Sequence, residues 1–486
     1  MSNIISQNDY NIFNQRVIEK YIRIELLDFS YNILDDITGN VIDLSVNINA
    51  NSDIRRTCSC QLAVNDSTFD IQAGGRIWLN RYIRPYIGYK NILTNEIQWY
   101  NQGIFLINAP SWNYNATTNT LSFEGIDLMS KLTGLRNGNL EGIPTIIKQG
   151  ESVRDAIIDT IKLGGFTQYI VSECTDTSGN IQTVPYDIQI DVGGTLFDIL
   201  KELRDILPQY QIYFDIDGVF HYDLIPSGNN APVLYSNEFL HNIVIDESIN
   251  TDFESVKNVV EVIGRLLNPA YYGSGTVTSG EILLNIPDLF YLNTINTYTM
   301  IGFSVPNNIN VPVSIHIVAT TSTGTKDFGI APLVDSNNVA VSELNANTYY
   351  VMSRTPSGDW FFMGTQQIRA TAMDENPDSP FYVNSDIGKI RIVLSGGEYD
   401  NIYSLPLAQQ RANWELWKRT RLNDSITLSM FPVPFMDVNT LIEYGLRNSA
   451  TLDKYIIKSI SVSYSDNGTA TINAIKYYPY YMDNDV

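Results

Sequence analysis

Phe105-Leu-Ile-Asn-Ala-Pro-Ser-Trp-Asn-Tyr114, a polar turn and Thr120-Leu-Ser-Phe-Glu-Gly-Ile126 spell a β-hairpin, and the chain spells it again near its other end. The second copy runs Tyr455-Ile-Ile-Lys-Ser-Ile-Ser-Val-Ser-Tyr464, a polar turn, then Thr469-Ala-Thr-Ile-Asn-Ala-Ile475. With one deletion in the turn, Ser111 falls on Ser461, Tyr114 on Tyr464 and Thr120 on Thr469. Alternation of apolar and polar residues gives each strand one dry and one wet face. Pro110 cannot donate to a ladder, which predicts an edge or a bulge at that point. Two upstream echoes extend the repeat. Ser59-Cys-Gln-Leu-Ala-Val64 matches Ser425-Ile-Thr-Leu-Ser-Met430, and Phe69-Asp-Ile71 before a strand at 76–79 matches Met436-Asp-Val438 before one at 441–444. A β-unit built twice in one chain points to symmetry and assembly rather than to a catalytic pocket.

The composition agrees. Of 486 residues, 44% are hydrophobic and only 17% charged, so the surface is built largely from uncharged polar groups. Thirty tyrosines and many Val, Ile and Thr in alternating runs favour a mainly β protein. The formal net charge is −22, with 53 acidic against 31 basic residues and no long Lys/Arg run. Sequence-independent nucleic-acid binding depends on basic patches that displace counterions, so no specific nucleic-acid binding is expected. An acidic surface suits a conduit from which DNA is repelled. The three cysteines, Cys58, Cys60 and Cys174, make no disulfide framework, and Cys58 and Cys60 share one strand face as small core residues. No apolar run approaches the length of a membrane helix, and the first ten residues lack a signal-peptide core. A soluble chain folding in a reducing cytoplasm, without membrane insertion, is expected.

The pattern divides the chain. Residues 1–15, rich in Asn and Gln, read as an N-terminal arm. A β-domain follows over 16–137, with strands near 21–29, 41–48, 57–64, 76–79 and 84–89 and the opening hairpin. Residues 138–244 read as a small α/β module. Its two helices start at Ser152 and Thr195, each an N-cap with an Asp three residues on, as in a capping box. The first stops at Gly164-Gly165 and the second at Pro208. A hairpin across Asp217-Gly218 follows, with the signature of a type I′ turn. Residues 245–266 and 386–486 read as a second β-domain. It holds a helix over 406–422 with Pro406 in its first turn and Lys418, Arg419 and Arg421 in its last. Two apolar stripes on that helix, one of Ala408, Ala412 and Leu416 and one of Leu407, Trp414 and Trp417, predict a helix wedged between two surfaces. Residues 267–385, rich in Asn, Thr and Ser, read as an inserted β-module.

Catalytic and metal signatures do not emerge. His221, His241 and His316 are far apart and outside any metal-binding spacing, so structural or surface roles are expected. Asp215-Ile-Asp217-Gly218 lacks the distal Glu of a calcium loop. No nucleophile elbow, phosphate loop or dinucleotide fingerprint is present. No catalytic residue, metal or cofactor is therefore assigned, and the protein is expected not to be an enzyme. Tyr349, Tyr350, Trp360, Phe361 and Phe362 could stack on sugars or fill a small β-core, with Trp360 and Phe362 on one strand face and Phe361 on the other. Tyr349, Trp360 and Phe362, with Trp414 and Trp417, are the candidate interaction surface.

The order of these parts resembles a known family. A β-domain, a two-helix α/β module opened by Gly150-Glu-Ser152, the strand-turn-strand Tyr213-Phe-Asp-Ile-Asp-Gly-Val-Phe220, the helix Leu407-Ala-Gln-Gln-Arg-Ala-Asn-Trp-Glu-Leu416 and a repeated β-domain together resemble the baseplate or tail-tip hub proteins of bacteriophages. The resemblance covers the chain except the arm and the insert. It implies two tube-like β-barrels per chain and a homotrimer whose six barrels form a pseudo-sixfold ring lining the DNA channel. Such a ring adapts a sixfold tail tube to a threefold spike or fibre. The implied partners are the tail tube or distal tail protein, a spike or fibre protein, the tape-measure protein and the baseplate wedge. The implied location is the virion tail, assembled in the host cytoplasm. Many hubs carry a lytic or fibre domain after the second barrel; this sequence ends at Val486, so that activity is expected in another protein. The insert departs from a minimal hub and is expected at the periphery. The alternative reading is a receptor- or carbohydrate-binding baseplate protein acting through residues 267–385.

Overall fold

The computed structural model describes residues 6–479, apart from 65–66, 116, 141–144, 176–180, 186, 229, 336–337, 403, 448, 450 and 466. Residues 1–5 of the expected arm and 480–486 at the chain end lie outside the described residues. The protein is mainly β, as expected, and divides into two compact units: Met1–Glu254 with Leu422–Val486, and Ser255–Arg421.

Eight strands of the first unit carry the repeat: β1 (Val41–Asn49), β2 (Arg56–Ala63), β3 (Phe105–Tyr114), β4 (Asn119–Ile126), β5 (Val244–Asp252), β6 (Asn423–Met430), β7 (Asp453–Ser463) and β8 (Ala470–Lys476). They lie in one 14-stranded sheet in the order β5-β6-β8-β7-β1-β2-β4-β3, which continues through Tyr82–Asn91, Lys20–Leu27 and Ile33–Asp36. The two repeated β-units, expected as separate barrels, are thus joined edge to edge by the β7–β1 ladder. Their dry faces feed one core, in which Leu44, Val46, Cys58, Cys60, Phe123, Ile426, Leu428, Ile460, Val462 and Ile472 are buried together. Burial pushes the Cys60 thiol up to about 12, the behaviour of an inert core residue.

Three local expectations change. The N-terminal segment is no free arm: Ser6 and Asp9 form a capping box that starts a helix at Gln7–Phe13. Ile12 and Phe13 of that helix enter the core, with Phe13 ring-packed on Tyr89, Phe239, Phe431 and Phe435. The strand expected at 76–79 is only an isolated bridge between Ile71 and Ile77, because the glycines and turns around it leave no neighbour to pair with. The hairpin Tyr210–Phe214/Phe220–Leu224 closes through a longer loop than a two-residue turn. Asp215 N–H donates to Val219 O, Gly218 takes a φ of 79°, and Asp215 Oδ1 accepts from the N–H groups of Asp217 and Val219. The left-handed Gly218 makes this a bulged three-residue turn. The module's helices are Val153–Leu163, capped by Ser152, and Leu196–Ile206, with the Thr195–Asp198 capping box.

The second unit is inserted between β5 and β6, whose pairing of Asp252 with Asn423 brings its entry and exit together. It begins and ends outside the expected 267–385. Residues 255–266 and 386–421, expected with the second β-domain, belong here because Val259–Leu266 pairs with Gln367–Met373 and Arg391–Leu394, not with the large sheet. The helix expected over 406–422 spans Leu405–Arg419 and packs on that three-stranded sheet through Ala408 and Ala412. Ahead of it, seven strands between Tyr271 and Thr365 form a closed barrel around Ile282, Ile301, Phe303, Ile315, Leu333 and Trp360. Buried Glu261 is held by Arg369 and Arg391.

Candidate functional site

The two four-stranded units of the large sheet share one continuous polar face. Reading across the ladders, Ser248 lies beside Thr427, Thr427 beside Asn473, Asn473 beside Ser459 and Ser459 beside Asn49. Further along, Ser45 faces Ser59, Ser59 faces Glu124 and Ser111 faces Ser122. Period-two alternation places these residues opposite the core, and small hydroxyl and amide groups bond laterally there. Thr427 Oγ1 donates to Asn473 Oδ1 (2.8 Å), Asn473 Nδ2 donates to Ser459 Oγ (3.0 Å), and Ser461 Oγ donates to Asn47 Oδ1 (2.7 Å). The charged residues in these rows are Asp43, Glu124, Asp246 and Asp252, all acidic. Among the described residues, the rows just traced hold no Lys or Arg; Lys454 of β7, on the strand face opposite buried Tyr455, pairs with Glu443 outside them.

The face ends in two open strand edges. Beyond its first residues, where Leu106 pairs with Tyr82, β3 has β4 as its only strand partner among the described residues. At the other end, β5 has β6 as its only strand partner among the described residues. The register of β3 shifts between Asn108 and Ser111, around Ala109 (φ 44°) and Pro110, the bulge that Pro110 predicts. After it, Trp112 and Tyr114 point to the core side of the sheet yet are 60% and 66% exposed, their rings stacked. On β5, Ile249 also faces the core side and is 47% exposed. Apolar side chains on the dry face of an unpaired edge form an incomplete core layer.

The candidate interaction surface is divided. In the second unit, Trp360 is 1% exposed within the barrel core, with Phe362 packed against that core and the Arg354 guanidinium over the indole. Phe361 faces the other cluster, as the strand alternation requires. Tyr349 packs beside Tyr272, their rings 4.8 Å apart. Trp414 and Trp417 are half-buried and pair with each other at 4.9 Å. The structure does not bring these five side chains into one exposed platform. The open edges, with Trp112, Tyr114 and Ile249, were missed as a site, because no local sequence signal separates these apolar positions from covered ones.

The histidines sit in polar clasps. His221 Nδ1 lies 2.8 Å from Asp223 and Nε2 3.1 Å from Asp215, with the ring stacked on Tyr213. Burial disfavours the imidazolium, but the two carboxylates outweigh it and raise His221 to about 9. His316 lies between Glu281 and Asp327, and His241 hydrogen-bonds Gly445 O at 2.8 Å. Among the described residues no group of three or more His, Cys, Asp or Glu side chains is placed to hold a metal. Among the described residues no helix is long and apolar enough to cross a membrane.

The architecture has counterparts among solved structures. The 43 kDa tail protein of prophage MuSo2 from Shewanella oneidensis aligns over 94% of this chain and 98% of its own, with 13% identity and a TM-score of 0.51. The fold is that of a phage tail protein. Weaker likenesses are a tail protein from Neisseria meningitidis MC58 (8% identity, 96% and 99% coverage, TM-score 0.49) and prophage tail protein gp18 from Listeria monocytogenes EGD-e (10%, 93% and 94%, 0.43). A family model described as a domain of unknown function, DUF5048, matches residues 378–481. No curated protein sequence matches the chain.

Proposed function

We propose that the chain is a structural hub subunit of a phage or phage-like tail tip, with three copies closing into a ring. The observation that carries this reading is the eight-strand polar face, built from two equivalent four-stranded units and ended by two unsatisfied edges. Three copies offer six such units, a pseudo-sixfold ring suited to a sixfold tube on one side and a threefold spike or fibre on the other. The polar face lines the lumen in this reading, since the opposite face is occupied by the core. Without cations in the rows that cross it from Ser248 to Asn49 and from Ser45 to Ser122, that stretch of the lining gives passing DNA no counterion-releasing contact. Tail tube or distal tail protein, spike or fibre, tape-measure protein and baseplate wedge are the proposed neighbours, and the virion tail the proposed location. The role is architectural and assigns the chain no catalytic step. Mass photometry of the purified chain, followed by electron microscopy, tests it: rings of three copies with a central channel are expected, and a protein that stays monomeric at micromolar concentration refutes it.

A further inference from the structure

We infer that the open edge of β3 pairs with the open edge of β5 in a second copy of this chain, in the register Ser111–Asn250, Trp112–Ile249, Asn113–Ser248 and Tyr114–Glu247. The inference rests on the ring reading above and specifies its seam.

The template is inside the chain. Ser461 of β7 pairs with Thr471 of β8, which pairs with Ser429 of β6. Ser111 of β3 pairs with Ser122 of β4, which pairs with Gln61 of β2. Ser429 is therefore the counterpart of Gln61, and Thr427 that of Ser59. Ser59 faces Ser45 in β1, and Thr427 faces Ser248 in β5. This overlays Ser45-Val-Asn-Ile-Asn49 on Ser248-Ile-Asn-Thr-Asp252, two segments of the same pattern. Where the two units join within the chain, β7 meets β1 as Ser461–Asn47, Val462–Val46 and Ser463–Ser45, and Tyr464 N–H donates to Leu44 O. Replacing each residue by its counterpart yields the proposed register.

The backbone is oriented for it. In β7, Ser463 N–H bonds to Thr469 O in one neighbour and Tyr464 N–H to Leu44 O in the other. In β3, Asn115 N–H bonds to Thr118 O, so antiparallel alternation turns the peptide groups of Trp112 and Tyr114 outward. On the dry face the seam covers Trp112 and Ile249; on the wet face it places Ser111 beside Asn250, as Ser461 stands beside Asn47. Pro110 ends the ladder at the bulge. Charge selects the pairing: residues 111–114 are uncharged, whereas joining β5 to β5 would set Asp246, Glu247 and Asp252 against their own copies.

Cysteine cross-linking of the full chain tests the register. Ser111 and Asn250 are exposed in the single chain, and the native cysteines are buried. A non-hydrogen-bonded antiparallel pair has Cα atoms about 4.5 Å apart, within disulfide reach. Oxidation with diamide of Ser111→Cys mixed with Asn250→Cys is expected to give disulfide dimers at least ~10-fold above either variant alone and above a slipped pair, Asn113→Cys with Asn250→Cys. The double variant Ser111→Cys/Asn250→Cys is expected to give a covalent ring of three. If rings form by mass photometry while the slipped pair cross-links better, a single variant links to itself, or no pair links, the register is overturned and the ring reading stands. If no ring forms, both fall.

Discussion

The β7–β1 junction and the open edges of β3 and β5 are the same sequence pattern in two states. At the junction, Val46, Val462 and Tyr464 are buried and Ser461 is bonded to Asn47. At the edges, their counterparts Ile249, Trp112 and Tyr114 stand in solvent. One seam is completed by folding and its twin is left for a partner. The difference shows that assembly here repeats an intramolecular event, so stability and association can be perturbed separately.

The largest expected separation comes from an acid on each side of the pair. Val462→Asp places a charge in the shared core and is expected to cost about 4 kcal/mol or more, seen as collapse of the denaturant midpoint of the first unit. Trp112→Asp, at the equivalent edge position, should leave folding stability within ~0.5 kcal/mol yet weaken ring formation at least ~10-fold in a dilution series. Equal effects of the two substitutions on folding would break the comparison.

A control outside both ladders comes next. His221→Gln removes the clasp between Asp215 and Asp223 and is expected to cost about 1 kcal/mol, measured by thermal or urea unfolding, with assembly unchanged. The folded imidazole has its pKa raised to about 9, against an ordinary value near 6.5. Its contribution is therefore complete below about pH 6.5 and lost as pH rises through about 9. Burial raises the pKa of Asp215 and Asp223, but the bonds from His221 outweigh it and leave both lowered, so their share fades as pH falls below the usual carboxylate range. The difference between wild type and variant should thus be widest in mildly acidic buffer and vanish above pH 9.

The smallest energetic effect is expected on the wet face. Ser59→Lys, at an exposed ladder position, and Ser122→Lys, at a half-buried one, lie on the face opposite the core and should leave both seams intact. Each should instead add about 0.9 to the slope of log affinity for duplex DNA against log salt, read by fluorescence anisotropy. DNA binding by the wild-type ring as strong as by these variants would contradict a lining that does not hold nucleic acid.

Much of the repeat was legible in the sequence, because strand alternation and turn chemistry are local. The strand from Phe105 to Tyr114 is read to the residue, and Pro110 marks its bulge. The upstream alignment was off by two: sequence similarity matched Ser59 with Ser425, whereas the ladders match it with Thr427. A slip of two keeps every side chain on its face, so hydrophobic periodicity cannot detect it. The helix at Gln7–Phe13 was signalled by Ser6 and Asp9 but masked by the polar composition around it. Trp360 illustrates the opposite limit. Its strand face was read correctly, but only the closure of a barrel by distant strands makes that face an interior. The open edges lay beyond local pattern altogether, since Trp112 and Val462 are equally apolar and only topology decides which is covered.

The β7–β1 ladder also sets a clock on synthesis. Ser461 and Asn47, bonded across it, are separated by 414 positions in the chain. A ribosome-bound chain therefore holds β1 as a third uncovered edge until β7 has been made, and contacts of such long range form late. Chains without β7 carry an extra surface that can capture the wrong neighbour, while those that have made it present two edges and a sealed middle. The fold thereby links synthesis of β7 to competence for assembly.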